Sequence, residues 1–325
     1  MDAPPPAEGC PCCGNALVCV CGATRGPGGT LLRNCSRCCG QRYCGEACQR
    51  ADWKRHKAAC NAHVAYLASA LAPRVAAGEA AALLDMGTML AEGRGFPRDE
   101  ARAIALWERA AAKGCTDSMS NLATMHRDGR GVPASREATN RWTLAAAEAG
   151  HPLSMYNWSV TLQAGLGVPR DDEGAARWLR RASAAGCLEA HFNLANRFRE
   201  GRGVARDAAE ALRLYALAAP GDPSGKAHYS AGTLLLGTLA LPALVPIEAA
   251  MGWPLPPPNG AAAAAHFRKA AELGAGDAMY SLGVMFLFGK GVAAEQGEGL
   301  GWLKKAVAAG NRAAADFVRN NKIKL

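Results

Sequence analysis

Paired glycines recur along this chain at a fixed interval of thirty-six residues. The series consists of Gly93-Arg-Gly95, Gly129-Arg-Gly131, Gly165-Leu-Gly167 and Gly201-Arg-Gly203, and Gly237 continues it. A period of this length is typical of a solenoid, in which each unit is too small to bury its own apolar face and must stack on its neighbours. The sequence therefore predicts a repeat protein rather than one globular core.

Each repeat carries the signals of two helices. Six residues after each first glycine stands an N-cap type of residue or, at the last position, a glutamate: Asp99, Ser135, Asp171, Asp207 and Glu295. Thirteen or fourteen residues after the glycine stands a large aromatic: Trp107, Trp142, Trp178, Tyr215 and Trp302. We predict that all five aromatics are core residues, packed between alanines.

The loop sequence Gly165-Leu-Gly-Val-Pro-Arg-Asp171 resembles the consensus of the Sel-1-like repeat, a relative of the tetratricopeptide repeat. The resemblance implies a mainly α fold, an α/α superhelical solenoid of about six units over residues 79–317. The fifth unit keeps only Gly237 of its loop and carries an insert near residues 239–259. In this family, the surface formed by the first helices holds partner proteins.

Eleven of the thirteen cysteines lie in the first sixty residues, so this segment has a chemistry of its own. The ligand-type residues read Cys35-x2-Cys38, Cys44-x3-Cys48 and His56-x3-Cys60, with Cys10-x2-Cys13 upstream. Thiolates and imidazole at such spacings favour tetrahedral zinc, and eight ligands make two sites. Because so short a segment cannot build a core, metal ligation is expected to supply its folding free energy.

Tyr43, Gln49 and Asp52-Trp53 complete a resemblance to the MYND zinc finger over residues 10–60. In that family the ligand pairs interleave, which implies one zinc on Cys10, Cys13, Cys44 and Cys48 and a second on Cys35, Cys38, His56 and Cys60. Cys19 and Cys21 lie in the long gap after Cys13 and are an alternative to the first pair. Four protein ligands per zinc leave no open position, so the sites are expected to be structural.

Localisation signals are few. The proline-rich N-terminus has no basic start followed by an apolar run, so we expect no secretory signal and an intracellular protein, cytoplasmic or nuclear. The longest uncharged stretch, 230–247, is interrupted by prolines and glycines, so no membrane span is expected. Residues 61–78 are expected to form a linker helix between finger and repeats.

These features predict a non-catalytic adaptor or scaffold whose partners are proteins or proline-containing peptides. The sequence contains no phosphate-binding glycine loop, and its spacing does not bring a nucleophile and a base together. It therefore gives little support to an enzyme. The formal charge of +9 is spread along the repeats, and metallation would lower it to about +6. A nucleic-acid-associated regulator and an adaptor of the ubiquitin pathway remain alternatives.

Two further hypotheses concern partner binding. Asn121, Asn157 and Asn193 are spaced one repeat apart and would either bind a partner's extended backbone or satisfy local turns. The insert contains Pro242-Ala-Leu-Val-Pro246. MYND fingers bind Pro-x-Leu-x-Pro peptides, so this segment would either occupy a finger or only break helices.

Overall fold

A computed structural model describes residues 69–237 and 259–324, the isolated positions 57 and 66, and the backbone of two short strands. The chain divides into two compact units, one up to His151 and one from Pro152. Each unit is described by itself below.

The N-terminal segment contains a small antiparallel pairing. Strand β1 (Arg33–Asn34) pairs with β2 (Arg42–Tyr43), with Arg33 opposite Tyr43. Cys35 follows β1 directly along the chain, and Cys44 follows β2. The side chains of the eight predicted ligands lie outside the described residues, as do those of Cys19 and Cys21.

The first unit consists of helices that pack in chain order. Helix α1 is described over 69–76. It is followed by α2 (Ala80–Glu92), α3 (Glu100–Ala111), α4 (Thr116–Asp128) and α5 (Arg136–Glu148). Leu71 and Val75 of α1 join the apolar cluster of α2 and α3, and Arg109 donates to the Val75 carbonyl at 3.2 Å. The described part of the predicted linker is therefore helical and packs on the first repeat.

The second unit continues the same pattern. It contains α6 (Pro152–Ala164), α7 (Asp172–Ala184), α8 (Leu188–Glu200), α9 (Ala208–Ala218), α10 (Lys226–Leu236), α11 (Gly260–Glu272), α12 (Gly276–Phe288), α13 (Gln296–Ala308) and α14 (Arg312–Asn320). A short 3-10 turn, Ala219–Gly221, follows α9. Each even-numbered helix from α2 to α12 packs against the helix that follows it; we call the even-numbered helices A helices and their partners B helices.

Each complete glycine pair lies in the loop between an A helix and its B helix, and both of its glycines have positive φ. The first glycine of each complete pair ends an A helix in the left-handed region, as at Gly201 (φ 71°, ψ 32°). At the second glycine of that pair, Gly203, a side chain would collide with the Asp172 backbone. Only glycine combines positive φ with this close approach. The recurrence of glycine at both positions of this loop thus has a backbone cause.

The predicted caps are confirmed at four of five positions. Asp99, Ser135, Asp171 and Asp207 each accept a hydrogen bond from the backbone N–H three residues later. Glu295 occupies the cap position of α13 without a side-chain cap bond. The sequence reading missed Asn259 and Asn311, which cap α11 and α14.

The prediction that all five repeat aromatics are core residues is only partly right. Trp107 and Tyr215, eight residues after their caps, are buried together with Phe267 of α11. The tryptophans seven residues after their caps, Trp142, Trp178 and Trp302, are partly exposed. One residue turns a helical position by about 100°, which moves these indoles from the A–B interface to its flank. A cation lies over each, with Arg181 4.2 Å from the Trp178 ring centroid and Lys305 4.1 Å from that of Trp302.

The fifth unit joins α10 to α11 through Gly237 and Asn259, whose N–H donates to the Leu235 carbonyl at 3.0 Å. The intervening residues 238–258, including Pro242 to Pro246, lie outside the described part. None of the described helices is both long and apolar enough to cross a bilayer.

Candidate protein-binding groove

A groove opens on the second unit between A helices α6 and α8 and the connection from α9 to α10. Its volume is about 270 Å³. The side chains that line it are Tyr156, Leu188, Glu189, Phe192, Asn193, Asp222, Ser224 and Lys226. The groove thus lies on first helices of successive repeats, the surface expected to hold partners.

The floor of the groove is apolar and open. Leu188, the first residue of α8, is 45% exposed and lies against Gly221, where any side chain would displace it. Phe192, one turn further along α8, is half-buried, and its ring centroid lies 5.8 Å from that of Tyr215. Tyr215 is fixed in turn by a 2.6 Å hydrogen bond from its hydroxyl to Asn196 Oδ1. A rigid aromatic support therefore underlies an exposed aliphatic side chain.

One wall of the groove is polar. Asn193 Nδ2 donates to the Tyr156 hydroxyl at 3.2 Å and to the Glu189 carbonyl at 2.9 Å. Burial raises the pKa of Tyr156, so the phenol stays protonated at neutral pH. Among the described contacts its oxygen is an acceptor, and none of them uses its own proton.

The opposite wall carries fixed charge. Asp222 accepts hydrogen bonds from the backbone and hydroxyl of Ser224 at 3.0 and 2.5 Å and from the Ala227 N–H at 2.7 Å. Burial alone would raise the pKa of Asp222, but these hydrogen bonds together outweigh it and the pKa is lowered. The Asp222 carboxylate is therefore ionised. Its hydrogen bonds stabilise the beginning of α10, next to the exposed Lys226.

The structure shows local hydrogen bonds for one of the three asparagines that are spaced one repeat apart. The Asn193 amide donates within its own helix and to Tyr156, as the local interpretation expects for that residue. Asn157 is exposed and Asn121 is half-buried. Binding of a partner backbone by these asparagines stays a prediction.

A larger opening of about 630 Å³ lies on the first unit, around Phe96, Arg98, Arg102 and Gly131. Within it, Glu100 forms ion pairs with Arg98 and, at 2.8 Å, with Arg130. It lies at a loop edge instead of on a helix face, and we regard the groove on the second unit as the better candidate.

The described residues hold no group of three or more histidine, cysteine or carboxylate side chains that would bind a metal ion. Cys187 is buried, and burial raises the pKa of its thiol, which suits a packing residue rather than a zinc ligand. The predicted donors for zinc are instead seven thiols and one imidazole of the N-terminal segment, which lie outside the described residues. Their chemistry fits zinc, and β1 and β2 each end directly before one of them.

Comparison with protein families decides the architecture. The Sel1 repeat matches residues 80–115, 116–151, 152–187, 188–219, 250–274 and 276–311, which together make up more than half of the chain. The chain belongs to the Sel1 repeat family. The MYND finger matches residues 10–60. The predicted combination of a MYND finger and helical repeats is thereby confirmed.

Solved structures show the same fold. A protective antigen of uropathogenic Escherichia coli with an SLR fold is 23% identical, with a TM-score of 0.64 over 82% of this chain. The match spans 58% of the length of that antigen. A Sel1 repeat protein from Oxalobacter formigenes is 26% identical, with a TM-score of 0.52 over 72% of this chain and 89% of that one. No curated protein matches the chain.

Proposed function

We propose that this Sel1 repeat protein is a non-catalytic, zinc-dependent adaptor that binds one protein through its finger and another through the groove on α6 and α8. The observation that carries the proposal is the groove, where Leu188 is exposed on a support of fixed aromatic and amide side chains. In this proposal residues 10–60 form the finger, 61–78 the linker helix and 79–317 the repeats, and the protein acts inside the cell, in the cytoplasm or nucleus.

The finger would hold two zinc ions. Cys10, Cys13, Cys44 and Cys48 would bind one, and Cys35, Cys38, His56 and Cys60 the other, with Cys19 and Cys21 as the alternative to the first pair. Zinc would supply folding free energy on the order of 10 kcal/mol to a segment with few large apolar residues. The folded finger would then bind proline-containing peptides of the form Pro-x-Leu-x-Pro.

The groove would bind an extended segment of a partner that places an apolar side chain beside Leu188. The Tyr156 hydroxyl would donate to a backbone carbonyl of that segment. The charged side chains at the rim, Glu189 and Lys226, are both exposed. Rim charges set orientation and association rate more than affinity.

Metal content tests the finger. Elemental analysis of the purified protein is expected to give two zinc ions, and chelation is expected to abolish binding of a fluorescent Pro-x-Leu-x-Pro peptide. Circular dichroism at 222 nm is expected to change little, because the described helices hold no metal cluster of three or more ligands. Zero or one zinc in the protein would contradict the eight-ligand assignment, most directly at Cys10 and Cys13.

A pair of leucine substitutions tests the groove. Peptides selected from a random library against the full-length protein are measured on Leu188→Glu and on Leu273→Glu, whose leucines are 45% and 46% exposed. We expect Leu188→Glu to weaken binding at least tenfold and Leu273→Glu to leave it unchanged. Equal effects of both substitutions would remove the groove from the proposal while leaving the finger untouched.

A further inference from the structure

Two histidines face each other inside the fifth repeat. His228 on α10 and His266 on α11 bring their Nδ1 atoms to 3.2 Å, with ring centroids 5.4 Å apart and planes tilted by 48°. Both side chains are half-buried. Only one proton can lie between two such nitrogens, so one Nδ1 is an N–H donor and the other offers a lone pair.

This contact is specific to the fifth unit. The residues nine before each first loop glycine include Tyr156, Phe192 and Tyr280, and in the fifth unit this position is His228. The residues seven after each B-helix cap are Leu106, Trp142, Trp178, Leu214 and Trp302, and in the fifth unit, capped by Asn259, this position is His266. Packing residues occupy one or both positions in the other units, whereas here two imidazoles meet.

The separation suits a shared metal ion. Two imidazole nitrogens bound to one tetrahedral Zn²⁺, each at about 2.0 Å, lie about 3.3 Å apart. The observed Nδ1–Nδ1 distance of 3.2 Å is close to this value, so binding needs no separation of the helices, only a turn of each ring that points both lone pairs at the same ion. The helices on which the rings lie pack along their lengths, so the pair is held by secondary structure and not by a loop.

The surroundings favour neutral imidazoles, the form that binds metal. Burial lowers the pKa of both histidines; for His266 the charge of His228 adds to this effect, and Lys269 lowers both. Asp222 acts in the opposite direction on His228, but hydrogen bonds occupy both of its oxygens. No third histidine, cysteine or carboxylate completes the group in the described part of the chain. Water would fill the other positions.

We propose that His228 and His266 form a second, solvent-completed site for a borderline divalent cation such as Zn²⁺, Ni²⁺ or Cu²⁺, distinct from the zinc finger. Two Nδ1–metal bonds form, and the proton of the shared N–H···N contact moves through solvent to Nε2 of the same ring. The bound ion ties α10 to α11 at the repeat that carries the insert.

Nickel titration of the full-length protein at pH 7.5 tests this site, with the protein dialysed beforehand so that it keeps the two zinc ions of the finger and loses weakly bound metal. Isothermal calorimetry with NiCl2 is expected to show one bound ion, with zinc content measured before and after. His228→Tyr and His266→Trp introduce the residues of the sixth unit, Tyr280 and Trp302, so they remove a ligand while supplying a side chain that packs at that position elsewhere. Each is expected to reduce nickel affinity at least tenfold, with unchanged helicity by circular dichroism.

His151→Gln is the matched control, a half-buried histidine of the first unit, and is expected to keep wild-type nickel affinity. Nickel binding that survives both His228→Tyr and His266→Trp would overturn the proposal. So would the absence of any nickel binding, which would leave the pair as an imidazole–imidazole hydrogen bond. Nickel uptake matched by zinc loss and insensitive to the substitutions would assign the signal to the finger, and would equally overturn it.

Discussion

The indole nitrogen of Trp107 donates a hydrogen bond to the backbone carbonyl of Leu84, 3.2 Å away across the α2–α3 interface. The indole can reach that carbonyl because Gly87, one turn further along α2, has no side chain. A Cβ at Gly87 would lie 2.6 Å from the indole nitrogen. In this repeat the indole of Trp107 on the B helix therefore fits against the A helix because the A helix has glycine at position 87.

Gly87→Ala is expected to destabilise the first repeat by about 1–3 kcal/mol, because the added methyl displaces a buried ring. Gly301→Ala is the control, since Gly301 lies within α13 with open space around its Cβ position. There the gain in helix propensity is expected to stabilise by up to about 1 kcal/mol. Urea unfolding followed by circular dichroism measures both, and a stabilising Gly87→Ala would contradict the packing argument.

Asp207→Ala is expected to cost about 1 kcal/mol, because the carboxylate caps α9 by accepting from the Glu210 N–H at 3.0 Å. Glu295 occupies the equivalent position on α13 without a side-chain cap bond. Glu295→Ala is therefore expected to change the unfolding free energy by much less. Thermal unfolding of the two variants provides the comparison, and similar losses from both would show that the cap bond contributes little.

Arg197 joins α8 to the beginning of α7. The residue is 4% exposed, and its Nη1 donates to the Asp172 and Arg202 carbonyls, both at 3.1 Å, and to Asp172 Oδ1 at 3.3 Å. Arg197→Ala is expected to destabilise by about 2–3 kcal/mol, since it leaves these acceptors without their donor. The exposed ion pairs of Arg177 are the reference, and Arg177→Ala is expected to cost at most about 0.5 kcal/mol. Equal losses in chemical denaturation would contradict this prediction.

The imidazole of His191 is expected to make the free energy of unfolding fall as the pH is lowered. Its Nδ1 lies 2.7 Å from Ser183 Oγ, and burial, with a smaller contribution from Arg213, lowers its pKa below the ordinary value. The stability that it contributes is therefore complete above about pH 6.5 and is lost as the pH falls through the folded-state pKa.

His191→Asn keeps a polar atom near Ser183 but does not titrate. We expect the wild type to lose stability relative to this variant between pH 7 and pH 5, measured by urea unfolding at each pH. A constant difference over that range would contradict the lowered pKa.

Much of the fold follows from local sequence signals. The loop glycines need positive φ, and Asp99 and Asp171 satisfy helix N-termini, so their spacing determines the helix boundaries without tertiary information. Trp142 and Trp107 show the limit of this reading. They differ by one position relative to their caps, and only the packed structure shows which side of the B helix reaches the A helix.

The candidate sites were harder to predict. Leu188 is one of many leucines, and its exposure depends on Gly221 and on the turn after α9. Phe267 and Gly274 restore the register of α11 after the insert in the sequence, but the His228–His266 contact also depends on which sides of α10 and α11 face each other. The cap at Asn259 fixes that register in the structure. An asparagine before an alanine-rich run was the sequence signal that would have located it.

The hydrogen bond from the Asn259 N–H to the Leu235 carbonyl brings the two ends of the long connection together. The cost of closing a loop grows only slowly with its length once its ends are held. The fifth repeat therefore offers a point at which foreign segments, such as epitope tags or whole reporter modules, can be grafted between Gly237 and Asn259. Because that cost rises slowly with length, we expect helices α10 and α11 to keep packing against each other when such a segment is inserted.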